Sequence, residues 1–166
     1  MIENEKLLLI PIDIDIIDSL LESDDCFLSK YGFINDGGEF LNPSPDYFHK
    51  IKVRLIEHPE EYPLAVDHLI IIKDIKTVIG TIYFKRLPIK GISEIGYGMN
   101  PQYEGHGYMS EALSLMLNYG KSFGIITVLA DTTKDNVKSQ NVLKRNGFTQ
   151  RVGLNLTKHS TAAYSS

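Results

Sequence analysis

The chain has 166 residues, of which 43% are hydrophobic and 23% charged, and its formal net charge at pH 7 is −4. This length and composition predict a single globular domain spanning residues 1–166 and argue against a disordered or fibrous chain. The absence of a block of lysines or arginines argues against a nucleic-acid partner, and the apolar runs are too short to span a membrane. The single cysteine, Cys26, can form no internal disulfide, so we expect a cytoplasmic protein.

The first half of the chain predicts one strand, two helices and a three-stranded antiparallel meander. Residues 6–12 form the expected strand, and apolar residues at helical spacing follow from Asp13. Three glycines and a proline predict a loop over residues 31–44. Ser44 and Pro45 then provide a capping hydroxyl and a proline suited to the first turn of a helix that should end near His58. The meander strands are expected at residues 64–73, 77–86 and 92–99.

After Pro101 the hydrophobic period becomes helical. An apolar stripe predicts a helix that ends near Gly120 and Gly124, and residues 125–130 predict a short buried strand. Residues 135–146 predict another helix, which Gly147 would terminate. Beyond Phe148 we expect two short strands at most, and residues 161–166 are a poor candidate for the last one. This order of elements predicts an α+β fold with helices on both faces of a mixed sheet.

The segment from Glu94 to Ala112 is the most informative part of the sequence. A strand leads into the turn Glu104-Gly105-His106-Gly107-Tyr108-Met109, whose glycines allow positive φ and close backbone approach. The turn feeds the start of the amphipathic helix, where free N–H groups and the helix dipole attract anions. A Gly-x-Gly turn alone is equally compatible with a tight connection that binds nothing.

Two sequence blocks add specificity to this turn. Pro101 to Ala112 resembles, nearly residue by residue, a pattern of the GNAT superfamily of N-acetyltransferases, in particular its ribosomal-protein-alanine acetyltransferase-like branch. The second block is Asn136-x-x-Ser139 followed by Lys144-Arg145-Asn146-Gly147-Phe148, which resembles that branch's Asn-x-x-Ser and Lys/Arg-x-Gly-Phe. The resemblance implies a GNAT-like fold: a mixed, mostly antiparallel sheet of six to seven strands with about four helices on both faces.

The resemblance also implies acetyl-coenzyme A (acetyl-CoA) as cosubstrate, with its pyrophosphate on the glycine turn and its pantetheine arm along the strand edge. The cofactor-binding residues it implies are Tyr97, Met99, Glu104, Gly105, His106, Gly107, Tyr108, Met109, Ser110, Asn136 and Ser139. Glu104 departs from the family pattern, in which a neutral or cationic side chain is usual at that place. The histidines show no metal-ligand spacing, so we expect no metal.

Two residues are candidates for proton transfer. Glu94 would share a strand face with Gly96 and Gly98, which leaves an open trough beside its carboxylate, and is the candidate base. A solvated glutamate at a strand start is the alternative. Many relatives carry a tyrosine acid where this chain has Leu143, so Ser139 is the candidate acid for the departing thiolate. Asn136 also fits a helix N-cap with a purely structural role.

These observations predict an N-acetyltransferase that acetylates a primary amine directly, either a protein N-terminal amine or a small-molecule amine. Tyr83 and Tyr97 are candidates to line the acceptor pocket, and core packing is the alternative for both. A CoA-binding regulatory or interaction module with weak turnover is the competing hypothesis, favoured by Glu104 and the missing tyrosine. We also consider a homodimer, in which a partner subunit would complete the acceptor wall.

Overall fold

The structure, a computed structural model, describes residues 2–36, 45–151 and 159–165. The strands are β1 (Ile2–Glu3), β2 (Leu7–Pro11), β3 (Ile34–Asn35), β4 (His68–Ile72), β5 (Thr77–Phe84), β6 (Ile92–Met99), β7 (Thr127–Thr133), β8 (Thr149–Arg151) and β9 (His159–Ser165). The helices are α1 (Ile14–Glu22), α2 (Asp24–Tyr31), α3 (Pro45–Glu57), α4 (Tyr108–Lys121) and α5 (Val137–Arg145). No helix in these ranges is long and apolar enough to cross a membrane.

The strands form one mixed sheet in the order β1-β2-β4-β5-β6-β7-β9-β8, and β3 pairs with β5. All neighbours are antiparallel except the pairs β6–β7 and β3–β5. The α+β, mostly antiparallel fold and the central meander are therefore confirmed. Two strands, β1 and β3, are only two residues long, and without them the sheet has the upper strand number that we expected.

Helices pack on both faces of the sheet, as predicted, because side chains alternate along each strand. Ile70 and Ile72 of β4 belong to a core that includes α4 and Leu143 of α5. Leu69 and Ile71 alternate with them along the same strand and belong to a second core with α1, α2 and α3. The sheet thus has an α4–α5 face and an α1–α3 face.

The structure differs from the sequence-based expectation at α2. Its N-cap, Ser23, accepts a hydrogen bond from the Cys26 N–H, and Gly32 ends it in the left-handed region at φ 72°. Its sequence has few apolar residues at helical spacing, so periodicity gives little signal, and Phe27 is its one buried residue. The expected loop from Tyr31 accordingly begins with the end of this helix and β3, and residues 37–44 of it lie outside the described chain.

The low expectation for the last strand was wrong. β9 pairs with β7 over seven register positions, from Thr127 with Ser165 to Thr133 with His159, and also pairs with β8. A position between two strands supplies ladder hydrogen bonds on both edges, and this tertiary context overrides weak local propensity. The expected helix start at Pro45 agrees with α3, although Ser44 lies outside the described residues.

The parallel pair at the centre of the sheet separates halfway along β6. β6 and β7 share register only at Ile92, Ser93 and Glu94, whereas β6 continues against β5 as far as Met99. Beyond Glu94, one edge of β6 is therefore without a strand partner among the described residues. This opening positions the candidate site.

Candidate active site

The backbone of Tyr97 and Met99 faces the opening beside β6. The Lys85 N–H donates to the Glu94 carbonyl at 2.8 Å, and the Asn100 N–H donates to the Ile79 carbonyl at 2.9 Å. In an antiparallel pair only alternate residues exchange hydrogen bonds with the partner strand. Glu94, Gly96 and Gly98 thus bond to β5, and the intervening N–H and C=O groups point away from it.

The glycine turn adjoins the end of this strand. A short 3-10 turn, Pro101–Tyr103, is capped by Asn100, whose side chain accepts from the Gln102 N–H at 3.1 Å. Gly105 and Gly107 have φ of 82° and 86°, and a Cβ on either would meet no described atom within 4 Å. α4 then starts without a side-chain cap. The turn therefore presents glycine backbone and free helix-start N–H groups to the cleft.

A cleft of about 640 Å³ joins the strand edge, the glycine turn and α5. It is lined by all but one of the residues expected to bind the cofactor: Tyr97, Met99, Glu104, Gly105, Gly107, Tyr108, Met109, Ser110, Asn136 and Ser139. The exception is His106, whose ring stacks on that of Tyr108 at 5.8 Å between centroids. Within the described residues, no group of three or more His, Cys, Asp or Glu side chains could hold a metal.

Sequence reasoning missed two cationic residues of the cleft, Lys138 and Arg145. Both lie on α5, seven residues apart, and therefore share a helix face. That spacing, together with Ser139 and Val142 nearby, was the signal that could have found them. Lys138 forms an ion pair with Glu104 across the mouth of the cleft. The unusual carboxylate of the turn is thus neutralised by a lysine 34 residues further along the chain.

Tyr97 and Ser139 place two hydroxyl groups together in the cleft. Their oxygen atoms are 2.8 Å apart, and Asn136 holds the start of α5 by accepting from the Ser139 N–H at 2.9 Å. Asn136 is therefore an N-cap and also lines the cleft. Burial raises the pKa of Tyr97 and thus further favours its protonated hydroxyl. Leu143, at the place of the tyrosine expected in relatives, is buried in the core.

Asp36 forms hydrogen bonds with the segment that precedes the glycine turn, which the sequence did not indicate. Its carboxylate accepts from the Tyr103 hydroxyl at 2.6 Å, from Asn100 Nδ2 at 3.2 Å and from Gln102 Nε2. The hydrogen bond to this carboxylate raises the pKa of Tyr103 to about 12. Three side chains of the segment that precedes the glycine turn are thus fixed to the residue that follows β3.

Glu94, the candidate base, does not line the cleft and lies on the α1–α3 face of β6. Its carboxylate forms an ion pair with Lys85 of β5. Tyr83 lies on the same face, opposite Gly96, whereas Tyr97 lies on the cleft face. The structure therefore separates the two tyrosines that we considered together, and it places the candidate acid and base on opposite faces of one strand.

A split parallel pair, with an open strand edge beside a glycine turn and an uncapped helix start, is the arrangement expected of a GNAT-like fold. The acetyltransferase (GNAT) domain family matches residues 9–149, and the chain belongs to this family. The resemblance to the GNAT acetyltransferases that the sequence indicated is thereby confirmed.

Two curated relatives illustrate the range of similarity. The uncharacterized N-acetyltransferase YjdG of Bacillus subtilis is 27% identical over 171 residues, which covers 99% of this chain and 94% of the relative. The ribosomal-protein-serine acetyltransferase of Escherichia coli is 34% identical over 73 residues, or 43% of this chain and 41% of the relative. For three of the curated relatives, the match spans only 41–57% of their length.

A solved structure shows the same fold. The ribosomal L7/L12 alpha-N-protein acetyltransferase RimL, in complex with coenzyme A, has a TM-score of 0.69 at 21% identity. The superposition covers 98% of this chain and 95% of that one.

Proposed function

We propose that this protein transfers the acetyl group of acetyl-CoA directly to a primary amine, either a protein N-terminal amine or a small-molecule amine. One observation carries the proposal: the open edge of β6 and the uncapped start of α4 meet in a single cleft. The family membership supports the acetyl donor, and the relative that bears coenzyme A supports the kind of cofactor. A cytoplasmic location and a homodimer remain predictions.

The residues of the cleft suit a pyrophosphate with an attached pantetheine arm. Backbone N–H groups from Gly105 to Ser110 would bind the phosphates, with Lys138 and Arg145 as cations nearby. The N–H and C=O groups of Tyr97 and Met99 would pair with the amides of the arm. Acetyl-CoA would supply the activated thioester, and a strand N–H would polarise its carbonyl oxygen.

Proton transfer would be divided between the two faces of β6. Glu94 would accept a proton from the amine on the α1–α3 face, directly or through water, after leaving its ion pair with Lys85. On the cleft face, Ser139 would protonate the departing thiolate and take a proton from the Tyr97 hydroxyl. The second proton that the nitrogen loses as the amide forms would pass through water and restore the Tyr97 hydroxyl. The pair Tyr97–Ser139 would thus take the place of the tyrosine that the family pattern leads one to expect.

Glu104 and the absent tyrosine were two of the grounds for the competing hypothesis, a CoA-binding module without turnover. Lys138 neutralises Glu104, and Tyr97 supplies a hydroxyl beside Ser139. With these contacts, the two grounds support the module less than they do on the sequence alone, and we therefore favour the enzyme.

The proposal can be tested by following release of the free CoA thiol from acetyl-CoA with a panel of amines. The panel contains peptides with N-terminal serine or alanine, spermidine and kanamycin, and Glu94→Gln serves as the comparison. We expect at least one amine to accelerate thioester cleavage, and Glu94→Gln to lower kcat by about 10²-fold or more with unchanged CoA affinity. CoA binding by calorimetry without acceleration by any amine would favour the module instead.

A further inference from the structure

A row of residues crosses three strands on the α1–α3 face and ends at the open edge of β6. Tyr83 of β5 is the register partner of Gly96 in β6. His68 is the register partner of Ile82, so Asp67, which precedes β4, lies beside Tyr83. Neighbouring strands are about 4.8 Å apart, and Asp67, Tyr83 and Gly96 therefore follow one another across the sheet.

Tyr83 covers Gly96 and reaches towards the strand edge. A Cβ added to Gly96 would lie 2.7 Å from the ring carbon Cζ of Tyr83 and 2.8 Å from its hydroxyl. Only glycine leaves room for the ring there, so the Tyr83 hydroxyl lies directly on the β6 backbone. This half-buried hydroxyl makes no hydrogen bond with any part of the chain that the structure describes. A polar group in that position is available to a ligand.

Among the charged groups around Tyr83, one carboxylate has no ion-pair partner within the described residues. Lys85 is paired with Glu94, and Arg54 of α3 is paired with Glu61. Asp67 is only 8% exposed, and among the described residues it forms no ion pair.

Tyr47 of α3 is the side-chain partner of Asp67 in these ranges, and its hydroxyl donates to the two carboxylate oxygens at 3.2 and 3.1 Å. A backbone hydrogen bond and the charge of Arg54 also stabilise the carboxylate, but burial outweighs these three influences and raises the pKa of Asp67. The negative charge of Asp67 also contributes, after burial, to raising the pKa of Tyr83. The field of Asp67 therefore extends to the hydroxyl that lies on β6.

We propose that Tyr83 contacts the acceptor amine on the α1–α3 face of β6, and that Asp67 acts through it as a positioning residue selecting acceptors that arrive as ammonium ions. The inference rests on the proposed function and names its substrate class: an amine that is cationic at neutral pH. The ammonium would donate to the Tyr83 hydroxyl within the field of Asp67 before Glu94 removes its proton. The cofactor cleft, on the other face, has no part in this selection.

The test is steady-state acetylation of a short peptide with a free N-terminal serine by wild type, Tyr83→Phe and Asp67→Asn. We expect each variant to raise KM for the peptide about tenfold, the effect of one lost charge-assisted contact, while KM for acetyl-CoA stays the same. Asp67→Glu should recover part of the loss. Matched controls are Tyr119→Phe on α4 and Asp74→Asn in an exposed turn, and both should behave as wild type.

The outcomes separate the inference from the proposed function. Active wild type with Tyr83→Phe and Asp67→Asn within twofold of its peptide KM overturns the inference alone. Equal increases in KM for peptide and acetyl-CoA overturn it as well, because they indicate a general structural defect. Wild type that acetylates neither the peptide nor spermidine nor kanamycin, while binding CoA, overturns both. If Asp67→Asn does not fold, KM for the peptide in Tyr83→Phe decides by itself, because Tyr83 is only half-buried and the substitution keeps its ring.

Discussion

On the α4–α5 face of β6, the cleft gathers backbone N–H groups and the cations Lys138 and Arg145, whereas the α1–α3 face offers Asp67, Tyr83 and Glu94. The first set of groups suits an anionic, phosphate-bearing ligand, and the second suits an ammonium ion. The thickness of one strand separates the two faces, and they are connected at the edge where β6 and β7 separate. Under the proposed function, β6 would keep two oppositely charged substrates apart until their reacting atoms meet at its edge.

The largest effect should come from the hydroxyl pair on the cleft face. We expect Ser139→Ala and Tyr97→Phe each to lower kcat by about 10²–10⁴-fold, because the thiolate would leave without its proton donor. CoA affinity should change little, and the double variant should be no slower than the worse single one. An activated acetyl ester with a better leaving group is the control, since its turnover should be nearly insensitive to both changes. Independent, multiplying losses would break the proposed pairing.

The two faces should also respond to pH in opposite ways. Burial raises the pKa of Asp67 to about 6, so its buried carboxylate costs stability as pH rises from about 4 to 6. Burial lowers the pKa of His68, on the α4–α5 face, to about 4, so this side chain costs stability as pH falls from about 6.5 to 4. Each contribution is about 3 kcal/mol, and in wild type the two largely cancel.

Urea unfolding between pH 4 and 6.5, approximately the range set by these two shifts, separates the contributions. Asp67→Asn leaves His68, so its free energy of unfolding should rise with pH across this window. His68→Leu leaves Asp67, so its free energy of unfolding should fall. Parallel slopes in the two variants would contradict the assignment of opposite electrostatics to the two faces.

A side chain in the glycine turn should leave the protein folded but should weaken cofactor binding. Gly107→Val places a branched residue at φ 86° and should weaken CoA binding by about tenfold or more, measured by calorimetry. Gly124→Val is the matched control, because Gly124 has φ 77° and similarly open surroundings but lies beyond the other end of α4. Both variants should lose about 1–2 kcal/mol of stability. Equal CoA affinity in the two would remove the turn from the site.

The smallest effect should come from the ion pair at the mouth of the cleft. Glu104→Gln removes a carboxylate near the phosphates and releases Lys138, so CoA binding should tighten by about 0.3–1 kcal/mol. Lys138→Gln should weaken binding by a similar amount. Both side chains are partly exposed, at 34% and 79%, so molar salt should abolish both differences. Weaker binding in Glu104→Gln would show that the carboxylate has a positive role in shaping the turn.

Local features of the fold and the site could be predicted from the sequence. The meander, α4, α5 and the glycine turn depend on periodicity, caps and positive φ, all of which are visible within a few residues. Most residues that line the cleft could be singled out for the same reason, since they follow one another along the turn and the start of α5; their role in cofactor binding stays a prediction. Gly96 was noted as an open position, but the ring that covers it comes from β5.

Contacts between distant segments could not be predicted in this way. Tyr97 meets Ser139 across 42 residues, and Asp36 meets Tyr103 across 67. Asp67 resembles any acidic residue before a strand until register places it beside Tyr83. The prediction for β9 was wrong for the same reason, because the stability of this strand depends on the strands on either side rather than on its own composition.

The central claim is direct acetyl transfer between ligands held on opposite faces of β6, and a single-turnover experiment tests it most directly. Enzyme in excess over isotopically labelled acetyl-CoA is mixed with a serine-initiated peptide, and free CoA and acetylated peptide are quantified together. The account predicts that one labelled acetyl group reaches the peptide amine for each CoA released, with no acetylated protein accumulating between. CoA release that is independent of the peptide, or label that first appears on the protein, would contradict it.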